Sequence, residues 1–103
     1  MTKNANNPNP KLLNAIANTT KYRILEILLN EEKPLNIRTI AKLMQQDYSV
    51  IYRHVETLEE TGIITIYEVG RSRVPHITNK ETIKQIITDL NQLSTLINKK
   101  TTF

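Results

Sequence analysis

Apolar positions recur at three- and four-residue steps along most of the chain, switch to alternation over one short stretch, and then return to helical spacing. Lys11 to Asn18 carries Leu12, Leu13, Ile16 and Ala17 at helical spacing, with Pro10 tolerated at the first turn. Thr19 or Thr20 can cap a second helix that runs to about Glu31. Its apolar face is Ile24, Leu25, Leu28 and Leu29, Pro34 ends it, and Leu35 falls in a very short extended piece. Asn36 caps a third helix bearing Ile37, Ile40, Ala41 and Met44. Gln45-Gln46 turns the chain, and Asp47 caps a fourth helix over 47–61. There Ile51, Val55 and Leu58 form the inward stripe, and Gly62 supplies a left-handed stop.

Period two then takes over. Ile64, Ile66 and Glu68 share one face, and Ile63, Thr65, Tyr67 and Val69 the other. Residues 63–69 and 73–77 read as two strands joined across Gly70-Arg71-Ser72. Thr78 and Glu81 fit a capping box for a last helix. In it Ile83, Ile86, Leu90, Leu93 and Ile97 follow a heptad seam flanked by Ile87 and Leu96. About 20 residues of helix span roughly 30 Å, too long to pack wholly against so small a core. The seam either lies across the first helix or joins two copies of the chain, together with Leu12, Leu13 and Ile16. The expected class is mainly α with a small β-hairpin (α+β), in the order of a winged helix-turn-helix with a C-terminal dimerisation helix. The expected divisions are a disordered tail over 1–9, the winged helix-turn-helix over 10–77, and the dimerisation helix over 78–99.

A chain of 103 residues has room for one modest core and little else. No run approaches the roughly 18 apolar residues that span a bilayer, and the first ten residues lack the apolar stretch of a secretory signal. A cytoplasmic, nucleoid-associated protein is expected. The chain has no cysteine, which removes disulfides and thiolate metal sites. His54 and His76 have no partner at ligand spacing, and the last helix offers only Glu81 and Asp89, so no metal or other cofactor is expected. The net charge of +4 favours a polyanionic partner, provided the cations cluster.

They do. With Ile51, Val55 and Leu58 inward, the outward positions at the start of the fourth helix are Tyr48, Ser49, Tyr52, Arg53 and Glu56, with Val50 near the edge. This is the part of a recognition helix that reaches base edges in double-stranded DNA. Arg53 can bond guanine O6 and N7 bidentately, Ser49 a phosphate or base, and Val50 or a tyrosine ring can touch a thymine methyl. Either tyrosine can instead tuck into the core. His54 reads as structural or phosphate-adjacent, and Glu56 either orients Arg53 or stands in solvent. Arg71, Ser72 and Arg73 form an arginine-tipped wing suited to the backbone or the adjacent minor groove, with alternation sending both arginines to one side unless the tip breaks the pattern. Lys21, Arg23, Arg38 and Lys42 are candidate phosphate contacts. Lys99 and Lys100 are solvated or complement the helix dipole.

Residues 12–25, LLNAIANTTKYRIL, resemble the opening helices of ArsR-type winged-helix repressors. Ile40-Ala-Lys-Leu43 is similar to their scaffold helix. Ser49 to Leu58, followed by Gly62-Ile-Ile64, resembles their recognition helix and wing entry. The resemblance covers about residues 11–98, and small archaeal and archaeal-virus regulators are similar in length and in Ile/Asn usage. It implies the winged-helix fold; the last-helix seam, read as a homodimer contact, implies an inverted-repeat operator, and occupying a promoter there implies repression. Two features depart from the family: Met44-Gln-Gln-Asp47 replaces a glycine-containing turn, and the metal ligands of its sensor members are missing.

Catalysis finds no footing in the sequence. There is no glycine-rich phosphate loop and no nucleophile with a base, and Glu31-Glu32 and Glu59-Glu60 diverge as neighbours on helices. The competing reading is a winged-helix module for protein contact or architecture, because fold does not fix function. The set Arg53, Arg71 and Arg73 favours DNA. An effector pocket between the first and last helices stays open as a possibility, with no effector named by any residue.

Overall fold

The computed structural model describes residues 9–101, with side chains through Lys99. The order is α1 (Pro10–Ala17), α2 (Thr19–Asn30), α3 (Ile37–Met44), α4 (Tyr48–Thr61), β1 (Ile64–Val69), β2 (Ser72–Ile77) and α5 (Lys80–Thr101). This is the expected mainly helical winged helix-turn-helix. The tail expected over 1–9 lies outside the described residues except for Asn9. The Asn9 side chain accepts from the Lys11 N–H at 2.8 Å and caps α1, with Pro10 in the first turn.

Capping chemistry sets most helix ends, though not always through the expected residue. Asn18, rather than Thr19 or Thr20, caps α2 by accepting from the Lys21 N–H at 2.9 Å. An amide oxygen one residue earlier reaches the same orphan donors, so the threonines become the first helical residues. Asn36 caps α3 as expected, accepting from the Thr39 N–H at 2.8 Å. Gly62 ends α4 with φ 87°, the left-handed region where a Cβ is penalised. The Thr78–Glu81 capping box does not form. The Thr78 N–H goes to the Ile63 carbonyl at 2.9 Å, its hydroxyl lies 3.2 Å from that of Thr65, and α5 begins at Lys80. The hairpin closes by using the residue that the helix would have taken as its cap.

The core is aliphatic and lies where the helices converge on the base of the hairpin. Ile24, Leu25, Ile37, Ile40, Ile51, Val55, Leu58 and Ile64 are fully buried, with Ala15, Ala41, Ile63 and Ile77 around them. Ala15, not Ala17, is the buried alanine of α1. Truncating one of the larger residues would cost about 2–5 kcal/mol. Strands β1 and β2 pair antiparallel from Ile64↔Ile77 to Val69↔Ser72. The turn is therefore two residues, Gly70-Arg71, with Gly70 at φ 62° in the first position, as a hairpin turn of this length favours. Leu35 joins no strand.

The first half of helix α5 is anchored in the core. Ile83 and Ile87, 8% and 6% exposed, belong to the protomer's own core, so they are not available to an intermolecular seam. The Tyr22 hydroxyl of α2 donates to Asn91 Oδ1 at 2.9 Å and lies 3.3 Å from the Ile87 carbonyl, clamping the first half of the helix. Leu90 beside it and Leu93, Leu96 and Ile97 beyond it are exposed, as is Leu13 on α1. The heptad pattern is thus divided between buried and exposed positions.

Candidate nucleic-acid interface

The α3–turn–α4 unit carries the outward face, and its geometry depends on Gln45. This residue ends α3 in the left-handed conformation, φ 55° and ψ 44°, and is the positive-φ residue other than glycine among those described. The Gln46 N–H returns to the Ala41 carbonyl at 3.0 Å, the six-to-one bond of a Schellman stop. Gln45 therefore fills the place of a turn glycine at a cost of roughly 1–2 kcal/mol in backbone strain. Asp47 occupies the N-cap of α4 with extended backbone, but its side chain makes no capping hydrogen bond. The carboxylate is left exposed on the same surface.

Burial of Ile51, Val55 and Leu58 turns Tyr48, Ser49, Val50, Arg53 and Glu56 outward, all exposed. Arg53 makes no ion pair or side-chain hydrogen bond with another described residue; its carbonyl accepts from Thr57. Tyr52 is half-buried and packs against the core, whereas Tyr48 is exposed. They stack, with ring centroids 5.9 Å apart and planes 15° from parallel, as the i,i+4 spacing allows. Arg38 of α3 lies over Tyr48, and Arg73 of β2 over Tyr52, each with its guanidinium carbon 5.1 Å from the ring centroid. Arg73 also donates to the Tyr52 hydroxyl at 2.6 Å. The Tyr52 phenol is pushed up by desolvation, then by its hydrogen bond and charge interaction with Glu56, while Arg73 opposes the shift. Glu56 therefore faces Tyr52.

His54 is half-buried beside the inward stripe, and its imidazole is held below its ordinary value of 6.5. Desolvation is the main cause, followed by the positive charges of Lys21 at the start of α2 and Arg53. Arg23, Arg38 and Lys42 are exposed, the last two on α3 next to the α4 surface.

The wing separates residues that alternation had placed together. Arg71 lies in the turn itself, exposed and without an ion pair or hydrogen bond to another described residue. Arg73 points back at α4, against Tyr52 and 3.7 Å from the Glu68 carboxylate. The turn breaks the strand's alternation, so the two arginines face different surroundings. Ser72 is half-buried, its hydroxyl accepting from the Asn36 side chain at 3.4 Å. Sequence reasoning missed Glu59, whose carboxylate accepts from the Ile66 N–H at 3.3 Å and ties the end of α4 to β1. No local spacing could have announced that bond.

Two hollows open on the protomer. A groove of about 830 Å³ runs between the far face of the hairpin and the end of α2, lined by Leu28, Leu35, Tyr67, Val69, Val74 and Pro75 among others. A smaller hollow of about 290 Å³ lies between α1, the end of α4 and the start of α5, where Leu12, Ile16, Ile83 and Ile86 meet. Among the described residues, no three His, Asp or Glu side chains are grouped to hold a metal ion, and no helix is long and apolar enough to cross a membrane.

Solved structures share this architecture. HlyU from Vibrio cholerae N16961 is 24% identical, with 90% of this chain and 97% of that one covered and a TM-score of 0.70. The homodimeric winged helix-turn-helix DNA-binding domain of Mb0332 from Mycobacterium bovis, a possible ArsR-family transcriptional regulator, is 14% identical over 90% of this chain and 83% of that one, at a TM-score of 0.74. The transcriptional repressor PagR of Bacillus anthracis is 21% identical over 78% and 88%, at 0.65. The fold is that of ArsR-type winged-helix regulators. Among curated proteins, none matches the sequence. One family model does, over residues 16–83, from the end of α1 through the wing to the buried Ile83 of α5, and the chain belongs to that family, HVO_A0114.

Proposed function

We propose that the protein is a sequence-specific transcriptional regulator that binds double-stranded DNA as a homodimer, with α4 in the major groove and the wing on the adjacent minor groove or backbone. The observation that carries this reading is the shared exposure of Tyr48, Ser49, Val50 and Arg53 on the first half of α4, with Arg71 at the wing turn alongside. That set combines a bidentate guanine reader, a hydroxyl and an apolar contact on the part of the helix that enters the groove. Exposed Lys42 and Arg23, with Lys21 beside His54, are placed to meet phosphates.

The homodimer is supported by the apolar far half of α5, by Leu13, and by the homodimeric state of the Mycobacterium bovis domain. Its interface is formed by Leu13, Leu90, Leu93, Leu96 and Ile97, with half-buried Leu12, Ile16 and Ile86 at the rim. A two-fold dimer presents two α4 helices, so its operator is an inverted repeat with half-sites about 34 Å apart. Occupying such a site blocks transcription, and PagR is a repressor with the same fold, so repression is the sign we assign. Residues 10–77 then serve as the DNA-binding unit and 78–99 as the dimerisation helix of a nucleoid-associated cytoplasmic protein.

The salt dependence of duplex binding tests the reading. Arg71→Ala should reduce the slope of log K against log salt by about 0.9 for each phosphate that is no longer neutralised. Binding that ignores salt, or that Arg71→Ala leaves unchanged, contradicts it.

A further inference from the structure

Four side chains from three elements form a continuous stack across the candidate interface. Arg38 starts it from α3, Tyr48 and Tyr52 continue it along α4, and Arg73 closes it from the wing. Both outer ring faces are covered by guanidinium groups, and the Arg73–Tyr52 hydrogen bond at 2.6 Å locks the wing end. On its far side Arg73 lies 3.7 Å from Glu68, its cross-strand partner, so this guanidinium is engaged from two directions. Arg71, two residues away, is exposed and makes no such bonds.

We propose that Arg73 and Tyr52 are positioning residues, which brace the wing against the recognition helix and so set the spacing between major-groove and flanking contacts. This deepens the DNA-binding reading and rests on it. A two-stranded ribbon is held weakly on its own, and here its tip extends beyond the core: Tyr67, Glu68, Val69, Gly70 and Arg71 are all exposed. The aligned stack supplies the lateral hold that the tip lacks. A guanidinium is required because a planar group can cover a ring face while donating to the phenol oxygen, which an ammonium cannot reproduce. Arg73 accordingly acts on DNA through the wing's position, and Arg71 supplies the wing's cation.

The test compares the full-length wild type with Tyr52→Phe, Arg73→Lys, Arg73→Gln and Arg71→Ala, all checked for melting. Amide exchange over residues 66–75, without DNA, should speed up in Tyr52→Phe and Arg73→Lys; unchanged exchange in both overturns the brace whatever DNA does. On selected duplexes, Tyr52→Phe and Arg73→Lys should lose roughly threefold to tenfold of the discrimination at flanking positions, while preference under α4 persists. The salt slope should fall by about 0.9 in Arg71→Ala and by much less in Arg73→Gln. A full drop in Arg73→Gln, with flanking preference intact in Tyr52→Phe and Arg73→Lys, would make Arg73 a direct phosphate contact and overturn the proposal. A wild type with no sequence preference would sink the DNA reading instead, and the exchange data alone would then decide on the brace.

Discussion

Leu93 offers a direct test of the proposed dimer, because the single chain can spare the side chain and the proposed interface cannot. The side chain is 51% exposed on the far half of α5, beyond the Tyr22–Asn91 clamp. Fully burying a leucine is worth about 1.5–3 kcal/mol, so closing the exposed half on a partner contributes roughly 1–1.5 kcal/mol per copy. A two-fold interface uses the residue twice, and Leu93→Ala should therefore cost the dimer about 2–3 kcal/mol. At 1.4 kcal/mol per factor of ten, dimerisation weakens by roughly 30- to 150-fold. Sedimentation equilibrium over a concentration series reads the change, with thermal melting of the dilute monomer as control. Ile87→Ala is the contrast, because Ile87 is 6% exposed and its truncation should lower protomer stability by about 2–5 kcal/mol. Unchanged association in Leu93→Ala, and again in Leu90→Ala, would refute the α5 seam.

Three further outcomes follow from particular residues. Arg53→Ala should cost roughly 1–3 kcal/mol on the preferred duplex and relax base preference at one position per half-site; unchanged affinity and preference would show that the wrong face of α4 has been assigned. Gly62→Ala meets no atom within 4 Å, so its cost is the strain of φ 87° alone, about 1 kcal/mol after the unfolded chain's reduced freedom is set against it. That lowers the melting temperature by roughly 4–8 °C, and an unchanged melt contradicts it. His54 is depressed below 6.5 by desolvation and by Lys21 and Arg53. As pH falls from 7 through 6.5, the unfolded chain takes up the proton first, so folding weakens until the folded imidazole also titrates. Urea melts of wild type and His54→Gln should diverge over that window, wild type losing more; parallel curves would show that His54 is not so constrained.

Where a local signal fixed the structure, the sequence could be read directly. The inward stripe Ile51, Val55 and Leu58 follows from 3.6-residue spacing, and the hairpin follows from alternation ended by Gly70. The outward direction of Tyr48, Ser49, Arg53 and Glu56 came with that stripe, since they lie on the opposite side of the helix. Choices among neighbouring polar groups were not legible: Asn18 took the α2 cap from Thr19 and Thr20, and Thr78 served the hairpin rather than α5. The heptad on α5 revealed an apolar seam but not its division, which depends on how far the protomer's core extends along the helix. Tyr48 and Tyr52 stand at stacking distance in the sequence, whereas their pairing with Arg38 and Arg73 is tertiary. The same holds for Glu59, bonded to a backbone N–H seven residues away across a chain reversal.

Dimeric, sequence-specific binding to duplex DNA is the central claim. Selection of bound fragments from random duplex DNA at about 150 mM salt, with sizing of the complex, tests it where non-specific phosphate contacts are already weakened. The expected result is enrichment of an inverted repeat, with half-sites about one helical turn apart, held by two copies of the chain. Weak binding erased by salt, with no enriched motif, would contradict the claim and leave the protein-contact or architectural role in its place.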